Sequence, residues 1–216
     1  MGIELCYSDH IETLAGKLAD DLRGGSLGRD PFIKPVVMVV NPNVAKWLQM
    51  EIASRNTVAA NIDYPYLEKG LWNILASCDP GEKKPRLLKS EKYQFLVLSL
   101  LLGSRRDEPE IGPLLNYLYD ASGAESADYS RRAWQLSEHL ASVLREYEYN
   151  REDMVRCWLE DKLLYKDDAK ASSNIKEMEA AQRAVYRRIF GEGGIRDALR
   201  DKTGELLLTL PQYERR

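Results

Sequence analysis

The sequence is poor in the residues that carry most catalytic chemistry. Its two histidines, His10 and His139, lie far apart, so no pair stands at metal-ligand spacing and no zinc site is expected. The three cysteines, Cys6, Cys78 and Cys157, are scattered, odd in number and form no CxxC pair. That usage excludes a disulfide scaffold and fits a reducing cytoplasm. No G-x-S-x-G nucleophile turn occurs. No apolar run reaches the ~18 residues that a membrane span requires. The longest, Phe95 to Leu102, is broken by Ser99. The first residues lack the basic segment and apolar core of a signal peptide. Neither sign of charge dominates: 31 basic against 34 acidic residues leave a net charge of −3. Nucleic-acid binding therefore has no global electrostatic signature, although a local basic channel is compatible with this balance.

The most informative absence is a phosphate loop. A nucleotide-binding α/β domain needs glycine amides and a lysine after its first strand to wrap and reach the phosphates. Here the first strand candidate, Ile3 to Tyr7, leads into Ser8-Asp9-His10-Ile11-Glu12-Thr13. Glycine and lysine are missing, and Asp9 and Glu12 put negative charge where phosphate would sit. ATP hydrolysis at that place is not expected.

What is present divides the chain near residue 80. The first part alternates strand and helix signals. Ser8 or Asp9 is placed to cap a helix bearing Leu14, Leu18 and Leu22, which Gly24-Gly25 stops. Val36 to Val40 is a run of five apolar, mostly β-branched residues, expected as a strand buried on both faces. Asn41-Pro42-Asn43 forms a turn, with Asn43 a candidate cap for a helix through Ala53. Val58 to Ile62 is a third strand candidate, and Pro65 opens a helix to about Ala76. This order predicts a parallel α/β unit. After the polar linker at 78–85 the signals are almost entirely helical. They predict helices over 91–102, 114–120, 130–147, 152–159 and 175–190, the last ended by Gly191, Gly193 and Gly194. Leu206-Leu207-Leu208 has no evident partner after it, so the tail reads as cut. The pairs Asp20-Asp21, Asp167-Asp168 and Glu177/Glu179 read as surface charge rather than as a metal-dependent nuclease centre.

One stretch is distinctive: Val36-Val-Met-Val-Val-Asn-Pro-Asn-Val-Ala-Lys-Trp-Leu-Gln-Met50, followed by Ala59-Ala-Asn-Ile-Asp-Tyr-Pro65 and Leu71-Trp72. It resembles the N-terminal region of the exodeoxyribonuclease V gamma-subunit (RecC) family. That family shows A-x-W-L-Q-M, then A-A-N-I-D-[FY]-P and a downstream tryptophan at the same spacing. A second block agrees: Gln135-Leu-Ser137, Tyr147, Arg151 and Asp153. The resemblance covers about residues 3 to 190 of 216 and implies a fragment of a longer chain.

The resemblance implies a helix-rich α/β fold. In it a partial parallel sheet of the P-loop NTPase, superfamily 1 helicase type, with a degenerate nucleotide site, is followed by an all-helical subdomain. Residues 1–80 would be the 1A-like part and residues 86–216 the 1B-like part. It also implies a role. With RecB-like and RecD-like partners the gamma subunit splits duplex DNA ends, channels single strands in double-strand break repair and recombination, and performs no catalysis itself. Some members scan one strand for the Chi sequence. No catalytic residue, cofactor or metal ligand is assigned, a cytoplasmic location without membrane attachment is expected, and a fragment of this kind can self-associate through surface left uncovered.

Seven residues are the candidate DNA contacts. Asn41 and Asn43 stand at the end of the Val36–Val40 strand, where α/β sheets place their ligands, although turn and cap chemistry uses asparagine equally well. Lys46 reads as a phosphate partner or as a solvated surface lysine, and Trp47 as packing between helix and sheet. By resemblance, Tyr66 and Trp72 align with positions lining the strand-scanning channel, where aromatics stack on unpaired bases. Trp72 fits the core equally well. Ser142 and Arg145 align with channel positions that are carboxylates in Chi-reading relatives, and Val40 replaces a glutamine-type position. Arginine for acid turns acceptor into donor, so strand binding without reading of the same Chi sequence is expected. Arg131-Arg132 is a further basic pair, either on phosphate or at a solvated helix start. The rival reading is a helical protein-interaction module with a degenerate nucleotide-binding fold and no DNA binding of its own. An active NTPase with an unfamiliar phosphate loop is opposed by the missing glycines and lysine.

Overall fold

The computed structural model describes residues 3–24, 34–81, 84–120, 122–123 and 125–215. The chain forms two compact units, Met1–Cys78 and Asp79–Arg216.

In the first unit, α1 (Ile11–Gly24) packs on α2 (Pro42–Asn56). The buried face of α1 is made of small residues, Ala15, Gly16 and Ala19, flanked by half-buried Leu14, Leu18 and Leu22. Small side chains let the helices approach closely, and the Asn56 amide donates to the Ala19 carbonyl at 2.8 Å. The Ser8 hydroxyl accepts from the His10 amide at 3.0 Å and so forms a local turn short of the expected cap. Gly24 is the last residue of α1, and Gly25 lies outside the described residues.

The strand expectations need three corrections. Ile3 to Tyr7 forms no strand, and its side chains are exposed, because no described segment pairs with it in a ladder. Val36 to Val40 is covered on one face only. Val39 is 4% exposed, whereas Val36, Met38 and Val40 are 59%, 40% and 78% exposed. Alternation sends these three to one side, where Met38 lies against Gly70 of the following helix and Val36 and Val40 stay the more open. Its partner is not Val58 to Ile62 but the next residues, through parallel bridges Val36 to Asp63 and Val39 to Tyr66. Thr57 and Asn61 adopt positive φ (66° and 59°), which turns the chain and prevents a strand across 58–62. After this pair comes α3 (Leu67–Cys78).

The second unit was expected to be all-helical, and it is not. β1 (Arg86–Leu87) pairs in parallel with β2 (Leu207–Leu208), in the register Arg86 to Leu207. The leucine run therefore has its partner earlier in the chain, not after it. Between the strands run α4 (Ser90–Gly103), α5 (Gly112–Leu115), a 3-10 turn (Asn116–Leu118), α6 (Tyr129–Asn150), α7 (Glu152–Leu159), α8 (Ser173–Phe190) and α9 (Ile195–Thr203). α10 (Leu210–Glu214) follows β2. α4 packs along α6, and Tyr93, Val97 and Leu101 of α4 meet Leu140 and Leu144 of α6 in one core. Trp158 of α7 and Tyr186 and Ile189 of α8 close that core. Each large apolar side chain so buried stabilises the fold by about 1.5–3 kcal/mol. α9 ends at Gly204, whose φ of 71° suits glycine and whose amide donates to the Arg200 carbonyl at 2.7 Å. Among the described residues no helix is long and apolar enough to cross a membrane.

Candidate nucleic-acid interface

In the first unit the candidate residues gather where the parallel pair ends. Val39 donates its amide to the Pro65 carbonyl at 3.1 Å and is bridged to Tyr66. The two chain segments therefore leave the pair at the same end, one into α2 and the other into α3. Asn41 is the cap of α2: its backbone is extended (φ −160°, ψ 166°) and its Oδ1 accepts from the Val44 amide at 3.0 Å. Pro42 follows at the first helical position, where its ring presets φ and its missing amide costs nothing. The expected cap, Asn43, already lies inside the helix and is exposed. Lys46 is exposed one turn on, and Trp47 is half-buried. No acidic residue stands in the first turn of α2, so its positive dipole end is unopposed there.

Tyr66 is 51% exposed, and its carbonyl accepts from the Gly70 amide at 2.8 Å, which starts α3. Gly70 lets α3 approach the strand: a Cβ there would lie 2.3 Å from the Met38 sulfur. Trp72, by contrast, is 8% exposed and offers little ring face.

Ser142 and Arg145 belong to the second unit, one turn apart on α6. Ser142 is exposed. Arg145 is half-buried and donates through Nη1 to the Ser90 hydroxyl, which ties α6 to the start of α4. Arg131 is held by Asp128 at 2.6 Å. Arg132 donates to the Tyr117 carbonyl at 3.0 Å and lies 5.5 Å from that ring's centre.

Two buried carboxylates escaped the sequence reading. Glu148 sits on the apolar side of α6 and accepts from the hydroxyls of Thr209 (2.6 Å) and Tyr186 (2.9 Å) and from the Gln212 amide (2.6 Å). Burial raises its pKa above the usual carboxylate range, and these donors oppose the rise. The same burial, beside the Glu148 charge, pushes the Tyr186 and Tyr93 phenols up. Glu179, expected at the surface, is buried. Its carboxylate accepts from the Trp158 indole at 3.1 Å and from the amides of Leu164 (2.6 Å) and Tyr165 (2.9 Å). Position on a helix face was the available signal: Glu148 follows Leu140 and Leu144 at spacings of eight and four. Both carboxylates are buried among the side chains of the second unit's core. Among the described residues no cluster of three or more His, Cys, Asp or Glu side chains is placed to hold a metal ion.

Comparison with known proteins adds a family. The family described as RecC, N-terminal domain, matches residues 3–212. The chain is 27% identical over 129 residues to the RecBCD enzyme subunit RecC of Haemophilus influenzae and 26% identical over 129 residues to that of Escherichia coli. Each match takes in 60% of this chain and 11% of the relative. The chain therefore corresponds to a small part of those proteins.

Proposed function

We propose a function from the premise that this chain belongs to the family of RecC N-terminal domains. It is a non-catalytic, DNA-binding part of a RecBCD-type exodeoxyribonuclease V that works with RecB-like and RecD-like subunits in the cytoplasm. Its role is to help split duplex ends and guide single strands during double-strand break repair and recombination. A helicase-like ancestry with a lost nucleotide site belongs to the same reading, supported by the acidic, glycine-free segment after Tyr7. The observation that carries it is the shared exit of α2 and α3 from one end of the parallel pair. There Asn43, Lys46 and Tyr66 are exposed together with an unopposed helix start. Amide and lysine suit backbone phosphate, and an exposed tyrosine suits an unpaired base. Ser142 and Arg145 are separate candidate contacts, on α6 of the second unit. Asn41 acts by holding the first group in shape.

The test is fluorescence anisotropy with a labelled forked duplex at low and moderate salt. Binding that weakens steeply with salt, and weakens further in Lys46→Ala, Tyr66→Ala and Arg145→Ala, supports the reading. Absence of binding at low salt overturns it for this chain. The exposed apolar set Val36, Met38 and Val40 favours the second reading, a protein-docking module. That reading predicts association insensitive to salt and lost in Val40→Lys.

A further inference from the structure

Two segments of the first unit are short of partners, and each offers what the other lacks. In residues 3–7 the alternate side chains Ile3, Leu5 and Tyr7 are almost wholly exposed, and the backbone makes no hydrogen bond among the described residues. Residues 36–40 are paired along one edge only. Val37 and Val39 donate their amides to the carbonyls of Asp63 (2.9 Å) and Pro65 (3.1 Å). The backbone alternates, so the amides and carbonyls of Val36, Met38 and Val40 point to the opposite edge. They find no partner there among the described residues. An open edge of this kind is a template for a further strand.

We propose that residues 3–7 of one copy of this chain add, antiparallel, to residues 36–40 of a second copy, and that the exchange is reciprocal. Tyr7 then lies opposite Val36, Leu5 opposite Met38 and Ile3 opposite Val40. Each of these pairs exchanges both of its backbone hydrogen bonds, which uses the groups that the edge leaves open. The six apolar side chains share one face, and cross-strand neighbours of this type stabilise a sheet. Charge sets the direction. The same register places exposed Asp9 opposite exposed Lys34, a pair of opposite sign flanking the apolar set. A parallel strand with the same apolar match puts Asp9 opposite Pro42 instead. Within one copy, residues 3–7 lie beside α1, where Glu4 pairs with Lys17 at 3.2 Å. A surface ion pair is too weak to hold the segment there. A reciprocal exchange uses the same surface on both copies and closes the assembly as a two-fold dimer. Made twice, it buries on the order of 1,200 Å², where stable interfaces begin. The proposal rests on the docking reading of Val36, Met38 and Val40 and names the occupant of that set.

The experiment is sedimentation equilibrium of the 216-residue chain, joined to cysteine trapping. A mass that doubles with rising concentration is expected. Leu5→Asp should weaken the dimer by about tenfold or more, because it puts a charge between apolar neighbours. Residue 5 is exposed, so the variant monomer should melt as the native chain does. Asp9→Lys should weaken the dimer by about threefold. Combining Asp9→Lys with Lys34→Asp should restore it, as the antiparallel register requires. For trapping, Cys78→Ser and Cys157→Ser remove the other thiols. Val37→Cys then stands opposite the native Cys6 in a non-hydrogen-bonded pair, a spacing that a disulfide bridges. Oxidised glutathione should give a covalent dimer whose peptide map joins position 6 to position 37. A chain that stays monomeric overturns the proposal, as does a link formed within one chain. Association that is lost in Val40→Lys and kept in Leu5→Asp overturns the exchange and leaves the docking reading standing. Association kept in both variants overturns the two together.

Discussion

The Thr209 hydroxyl donates to Glu148 Oε2 at 2.6 Å, joining the cap of the last helix to the inner face of α6 across sixty-one residues of sequence. Thr209 also forms a capping box with Gln212, whose amide reaches the same carboxylate. The end of the second unit is thus held through one buried acid.

That acid makes stability depend on pH in a defined direction. The folded pKa of Glu148 is raised above its ordinary value of 4.5, with burial the main cause. A raised carboxyl stabilises the fold fully below the unfolded pKa, and the contribution is lost as pH rises through the folded value. Glu148→Gln removes this titration. The melting temperature of the native chain minus that of Glu148→Gln should therefore increase as pH is lowered from neutral towards 4.5. A difference that is flat or falls over that range contradicts the assignment.

Glu179 is the more demanding buried acid, because removing it orphans an indole and two backbone amides together. Glu179→Ala should cost about 3 kcal/mol or more by urea denaturation, since each unpaired buried donor costs ~1–3 kcal/mol. Glu179→Gln, which keeps an acceptor, should recover part of that. The emission of Trp158 should shift to the red in the alanine variant at temperatures where the unit is still folded.

The two asparagines at the end of the Val36–Val40 segment separate by role. Asn41→Ala should destabilise the first unit by about 1 kcal/mol, the usual cost of a lost helix cap. Asn43→Ala should cost only a few tenths, as an exposed position inside a helix does. Denaturant melts of the two variants check this. If the DNA reading holds, the effect on forked-duplex affinity runs the other way, and Asn43→Ala is the more damaging at equal folding.

Gly70 and Met38 should be coupled. A Cβ at residue 70 falls within 2.3 Å of the Met38 sulfur and 2.5 Å of its Cγ. Gly70→Ala gains helix propensity, about 1 kcal/mol, and meets a steric cost of about 1–3 kcal/mol. In a Met38→Ala background the steric part disappears, so Gly70→Ala should be stabilising there. A double-mutant cycle with no coupling would show that the contact is not made in solution.

Helical spacing made most of the second unit legible. α7 falls on residues 152–159 as expected, and α8 and α6 differ from expectation mainly by extension at their ends. Long amphipathic stripes carry their own address, because each turn repeats the same instruction. α9 was missed: its apolar stripe is only Ile195 and Leu199, half-buried against the core, in a stretch of nine residues otherwise mostly charged. The strands were less legible. Five apolar residues in a row do not say how many faces will be covered, and Val36 to Val40 is covered on one.

The candidate contacts divide in the same way. A helix start near Asn41-Pro42-Asn43 was visible, but which asparagine caps depended on the extended backbone at Asn41 and on Pro42 occupying the first helical position, which puts Asn43 in the helix and not in a turn. Trp72 fitted the channel and the core equally well in the sequence. Packing left Tyr66 open and enclosed Trp72.

By itself the sequence determined the run of helices after residue 85, because helices depend on local composition and period. Tertiary structure alone decided that Leu207–Leu208 would pair backwards with Arg86–Leu87 and that Glu148 and Glu179 would lie inside. Those outcomes join residues far apart in the chain. Their energies come from removing water and pairing buried polar groups, which no local stretch can specify alone.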